Sequence, residues 1–219
     1  MLSDTAAYPL AEAARYLHLP TSTLGNWFRG HAHFRPVLQS PKGQAHTTLS
    51  FINLVESHVL ATITRHHKIP LRRVRKAIHF LKKRFGEEHP LANIPLETDK
   101  VDILVTIMGE TVNATLQGQI VMRKVVEASL RRIERGKDGK IIVLYPFITE
   151  DPTVDRTTVM FNPHVAFGRL VLVETGIPTI EIAQRYKAGE SIKDLADDYG
   201  RNLVEIEDAI RFELRLEAA

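Results

Sequence analysis

The sequence predicts a mainly α fold of the α+β class. It comprises an N-terminal winged helix-turn-helix, a small α/β middle segment and a C-terminal three-helix, helix-turn-helix-like module with a short β-hairpin. Two observations carry this reading. Apolar residues recur at helical spacing in most stretches of the chain, and Pro, Gly and capping residues punctuate the boundaries of those stretches. Alternating or continuous apolar runs of strand type are short and few.

The elements follow in order. Leu10, Ala13, Ala14 and Leu17 form one apolar stripe, and Pro9 suits the first turn of the helix they define. His18-Leu19-Pro20 ends it, because proline disfavours helical geometry in the residue before it. Thr21 or Ser22 caps a second helix that carries Leu24, Trp27 and Phe28 and stops at Gly30. Trp27 shares a face with Leu24 and is read as core. From 31 to 48 the chain is rich in Gly, Pro, Ser and Gln, with extended pieces near Phe34–Val37 and Thr47–Leu49, which is the composition of a β-wing. Ser50 caps the next helix, which carries Ile52, Val55, Val59 and Ile63, and Pro70 opens another with Leu71, Val74, Ile78, Leu81 and Phe85 on one face.

The run Gly86-Glu87-Glu88-His89-Pro90 ends that helix, so a first domain is placed at 1–90. In the middle segment, 91–148, Ile103, Val105 and Ile107 alternate with their neighbours and predict a strand that returns over Val112–Thr115. Gln119 to Arg135 reads as a helix with Met122, Val125, Val126, Leu130 and Ile133 inward, and Asp138-Gly139 marks a turn before the strand Ile141–Tyr145. The last domain, 149–219, opens with a hairpin of Val159–Phe161 and Leu170–Leu172. Three helices follow: Pro178 to Gly189, the Ser191/Asp194 capping box to Gly200, and Asn202/Glu205 to about Leu216.

Charge divides the chain more sharply than its net +3 reveals. Residues 1–90 hold 13 Lys and Arg against 5 Asp and Glu, whereas residues 149–219 hold 8 against 14. A basic helix-turn-helix supplies what phosphate neutralisation needs. Its outward candidates for DNA contact are Thr21, Ser22, Thr23, Asn26 and Arg29 on the second helix, with Arg35 and Lys42 on the wing. The dense run Arg72, Arg73, Arg75, Lys76, Lys82, Lys83 and Arg84 is read either as flanking backbone contact or as a solvated helix face. The last helix carries Glu205, Glu207, Asp208 and Glu213, an acidic surface that would repel phosphate and suits a basic protein partner.

Other classes find little support. Absence of cysteine excludes disulfide scaffolds, zinc fingers and thiolate chemistry. His31-x-His33 and His66-His67 have no nearby acidic residue to complete a metal site, so neither metal nor cofactor is expected. No catalytic constellation stands out, and the expectation is a non-enzyme. No apolar run approaches the roughly 18–20 residues of a membrane span, and the start lacks a secretory pattern, so a cytoplasmic protein without membrane contact is expected.

The stretch Leu17–Leu24 with Trp27 resembles the start of MerR-like helix-turn-helix proteins. Together with Leu49–Glu56, Ile177-Pro178-Thr179, Ala188-Gly189-Glu190-Ser191-Ile192 and the following Asp198-Tyr199-Gly200, it resembles VapB-type antitoxins that join a MerR-like domain to a DUF433 module. The chain departs from the usual MerR-like pattern at Gly25-Asn26, where basic residues commonly precede the aromatic. The resemblance implies a homodimer that represses its own operon by binding operator DNA, and that neutralises a PIN-like ribonuclease toxin. On that reading the four acidic residues of the last helix meet the toxin. The competing expectation is a MerR-like transcription regulator that responds to a small molecule.

Overall fold

The computed structural model describes residues 4–31, 34–40, 47–67, 69–94, 99–109, 116–147 and 156–217. The chain divides after Ile133 into two compact units.

In the first unit, β1 (Ala6–Pro9) runs into α1 (Leu10–Tyr16), and α2 (Thr21–Arg29) follows. The stripe Leu10, Ala13, Ala14 and Leu17 is buried, as are Leu24, Trp27 and Phe28. β2 (Thr48–Ser50) pairs antiparallel with β1, with Ala6 opposite Ser50 and Pro9 opposite Thr48. The extended piece expected at Thr47–Leu49 thus has its partner in an N-terminal strand, outside the 31–48 segment. Among the described residues of the 31–48 segment, His31 and Phe34 form an isolated bridge. Gly30 stands just before that bridge with φ +81°, and a Cβ there would collide with the Phe34 carbonyl.

The centre of this unit is α3 (Phe51–His67), whose residues 53–63 are all buried. Ser50 starts it as expected: Asn53 N–H donates to Ser50 Oγ at 3.3 Å while Ser50 donates back to Asn53 Oδ1 at 3.0 Å. Burial pushes the His58 imidazole on this helix down to about 3, with the Arg132 and Arg65 guanidiniums adding to the effect, so the ring is neutral near pH 7. Then come α4 (Leu71–Phe85), α5 (Asp99–Gly109) and α6 (Leu116–Arg131); α6 packs on α3, and α5 packs on both α4 and α6. α5 replaces the strand expected at Ile103–Ile107. An apolar run this dense satisfies both periods, and the buried set is Val101, Leu104, Val105 and Met108, a helical face. The expected return strand over Val112–Thr115 lies outside the described residues.

The second unit is built on a four-stranded sheet in sequence order: β3 (Ile133–Arg135), β4 (Ile141–Leu144), β5 (Val159–Phe161) and β6 (Leu170–Leu172). The helix expected to reach Arg135 stops at Arg131. The reason is local: across the Asp138-Gly139 turn a ladder partner is at hand, and Gly136 N–H donates to Lys140 O at 2.8 Å. β5 and β6 pair as anticipated, Val159 opposite Leu172 and Phe161 opposite Leu170. Then come α7 (Thr179–Lys187), α8 (Ile192–Tyr199) and α9 (Leu203–Glu217), with α7 and α8 each packed on α9. Ser191 Oγ accepts from Asp194 N–H at 3.1 Å, and Asn202 and Glu205 exchange bonds of 2.9 and 3.1 Å, so both predicted caps are present. Among the described residues no helix is long and apolar enough to cross a membrane.

Candidate nucleic-acid interface

The angle between α1 and α2 is held from outside the pair. Arg65, near the end of α3, donates to the carbonyls of Leu17 and His18 at 2.9 and 3.0 Å. At the other end, Asn53 Nδ2 donates to Gln39 O at 2.8 Å, and the N–H groups of Val37 and Leu38 both donate to Trp27 O. The buried central helix thus fixes both the turn and the segment after α2. That is how the second helix of a helix-turn-helix pair is braced.

α2 presents the expected residues unevenly. Thr21, Ser22 and Arg29 are exposed, and Thr23 and Asn26 are half-buried. The helix begins at Thr21 behind Pro20, so Thr21 and Ser22 occupy its first turn instead of capping it. Arg29 lies back over Gly25, where a Cβ would collide with the guanidinium. The chain thus has glycine at 25, and the guanidinium of Arg29, four residues later, lies in the space beside it. Arg35 is exposed on the segment beyond. Lys42 lies outside the described residues.

Arg35 does not stand alone. A groove of about 600 Å³ runs between the 35–39 segment and α4, lined by Arg35, Arg72, Arg75, Lys76, His79 and Lys82 and by no acidic residue among those described. Positions 72, 75, 76, 79 and 82 follow helical spacing, so they form one face of α4. The Arg75 guanidinium sits 5.7 Å from the ring centroid of Phe34, which fixes its plane over the segment. Arg75 Nε and Arg73 Nη1 are buried with no hydrogen-bond partner among the described residues. Burial lowers the Lys82 ammonium from its usual range, with Glu56 and Glu88 opposing. Cations gathered with few internal acceptors suit an acceptor from outside, and phosphate oxygens are of that kind. The dense basic run thus has a face that meets Arg35; the spacing was visible in the sequence, the meeting was not.

The acidic residues of α9 require a correction, because two of the four do not reach the surface. Asp208 is buried, accepting from Arg156 Nη1 at 2.9 Å and from Thr158 Oγ1 at 3.0 Å. Glu213 is buried and accepts from Thr179 Oγ1 at 2.5 Å. Glu205 and Glu207 are half-buried and paired with Arg201 and Arg211. Interior hydrogen bonds offset the desolvation of Asp208 and Glu213, so helical phase could place them inward. Asp208→Ala is therefore expected to lower the stability of the chain by about 1–3 kcal/mol in a urea titration, since it removes the carboxylate that Thr158 Oγ1 donates to and one partner of Arg156. Glu207→Ala should stay within about 0.5 kcal/mol of wild type in the same urea titration.

Comparison with known proteins agrees with this anatomy. Residues 6–78 match a family model described as "Putative DNA-binding HTH domain", and residues 159–212 match one described as "Protein of unknown function (DUF433)". The two matches thus cover a helix-turn-helix stretch and, further along the chain, a DUF433 stretch. The chain is 27% identical, over 94% of its length and 93% of the relative's, to a Mycobacterium tuberculosis protein named "Putative antitoxin VapB45". It is 29% identical to "Uncharacterized protein Rv2308" of the same organism, covering 95% of this chain and 90% of the other. Among solved structures, the X-ray crystal structure of Rv2018 from Mycobacterium tuberculosis matches with a TM-score of 0.71 at 25% identity, over 96% of this chain and all of that one.

Proposed function

We propose that this protein is the antitoxin of a type II toxin–antitoxin pair. Its MerR-like N-terminal part holds operator DNA as a homodimer in the cytoplasm and represses its own operon. Its C-terminal part binds and inhibits a PIN-like ribonuclease. The chain acts by occupancy, without catalysis and without a cofactor. DNA contact rests on Thr21, Ser22, Thr23, Asn26, Arg29, Arg35 and Lys42, with the α4 face holding flanking phosphates. Of the acidic candidates for toxin contact, Glu205 and Glu207 are the two with exposed surface.

One observation carries the reading: the match to a protein named as an antitoxin runs along 94% of the chain, through both the basic and the acidic parts. The test is co-expression with the product of the adjacent reading frame. A stable complex and restored growth are expected; neither complex nor rescue contradicts the proposal.

A second reading has one observation in its favour. A groove of about 760 Å³ between α4 and α5 has Phe80, Ile103 and Ile107 among its lining, with Lys76, Lys83, Asp99 and Asp102 beside them. Its size and apolar side chains fall in the range of small-molecule sites. A MerR-like regulator responding to an organic ligand would show ligand-dependent operator affinity and would have no toxin neighbour.

A further inference from the structure

The turn between β5 and β6 holds a side chain that the fold does not use. Phe167 is 96% exposed, more than any other large apolar residue among those described. Its backbone is left-handed at φ +57°, flanked by Ala166 at +45° and Gly168 at +80°. A residue with a Cβ is disfavoured there, and glycine would serve better. The turn is nevertheless pinned. His164 N–H donates to Asn162 Oδ1 at 2.9 Å, Gly168 N–H to Val165 O at 2.9 Å and Arg169 N–H to Ala166 O at 3.2 Å. Val165 and Ala166 pack on the cluster of Val143, Met160 and Val171. The base of the turn is thus anchored while its tip holds an aromatic ring in water.

A pre-organised aromatic on strained backbone is the make-up of a binding anchor, since its rigid ring loses little freedom when a pocket closes around it. The surroundings say what kind of pocket. His164 and Arg169, three positions before Phe167 and two after it in the chain, are exposed. They are basic side chains of the same turn, on a part of the chain whose residues 149–219 carry 14 acidic against 8 basic side chains. That surplus of negative charge opposes nucleic acid and leaves a protein as the occupant. We propose that Phe167 is the anchor of a protein-docking site. Its ring enters an apolar pocket of the partner, and carboxylates on the rim of that pocket meet Arg169 and His164. This inference rests on the antitoxin reading, with the toxin as the partner, and it names a contact point apart from the acids of α9.

The experiment measures binding of the full chain to the product of the adjacent reading frame, for wild type, Phe167→Ala and Phe167→Gly, with operator DNA affinity as the control. Both variants should bind the partner about 30-fold more weakly or worse and bind DNA unchanged. Phe167→Gly should keep or raise the thermal midpoint, because glycine accepts this φ without strain. Binding within threefold of wild type in both variants overturns the inference. So does a fall in the thermal midpoint of Phe167→Gly that accounts for the lost binding. If a single-stranded RNA probe binds wild type and loses affinity on Phe167→Ala, base stacking replaces the protein pocket and the inference is wrong. If wild type itself does not bind the partner, the antitoxin reading falls and takes this inference with it.

Discussion

Replacing Arg72, Arg75 and Lys76 together with alanine is expected to weaken DNA binding by about two to three decades near 0.1 M salt. Each phosphate contact releases about 0.9 counterion, so three lost contacts should flatten the plot of log affinity against log salt by about 2.7. Base preference should be unchanged, because the groove between α4 and the 35–39 segment offers cations and not a base-reading set. Asn26→Ala should do the reverse, altering preference more than slope. Stability should change by less than about 1 kcal/mol, since Arg72 and Lys76 are exposed and Arg75 only half-buried. Fluorescence anisotropy over a salt series separates these outcomes. An unchanged slope would make the α4 face a solvated surface after all.

Trp27→Ala is expected to be the most damaging single change in the first unit, at about 3–5 kcal/mol. Trp27 is 2% exposed, and its carbonyl receives both Val37 and Leu38. The side chain thus sits where α2 and the segment carrying Arg35 are tied together. Its loss should leave a cavity under α2 and let the Arg35 side of the groove drift. DNA affinity should fall along with the denaturation midpoint. Trp27→Phe should cost far less, for the indole N–H has no hydrogen-bond partner among the described residues and most of the buried area is kept. Chemical denaturation of the three chains checks the order. Equal stability of Trp27→Ala and wild type would mean that this residue is not the keystone of the unit.

What could be read beforehand was what neighbouring residues decide. The Ser191/Asp194 and Asn202/Glu205 caps, the stripe of α1 and the β5–β6 pairing depend on short spans or strong patterns, and all are present. What escaped was set at a distance. β1 is four residues long and ends in proline, and its partner β2 is some forty residues away, so no alternation marks it. The alternation at Ile103–Ile107 fitted two periods, and packing against α4 and α6 selected the helix. Asp208 turns inward because Arg156 and Thr158, 52 and 50 residues earlier, hydrogen-bond to it; Glu213 does so for Thr179, 34 residues earlier. A helical wheel shows that these acids share a helix, not which of them has an internal partner. The same holds for the basic run, whose spacing marks one face while only the fold places Arg35 across from it.

The most direct test of the central claim is the affinity of the full chain for its own promoter fragment against a scrambled fragment of equal length, measured across salt. An operator-reading helix-turn-helix should prefer its promoter by about 10³-fold or more and lose affinity steeply as salt rises. Equal affinity for the two fragments, or no binding at low salt, would contradict the account.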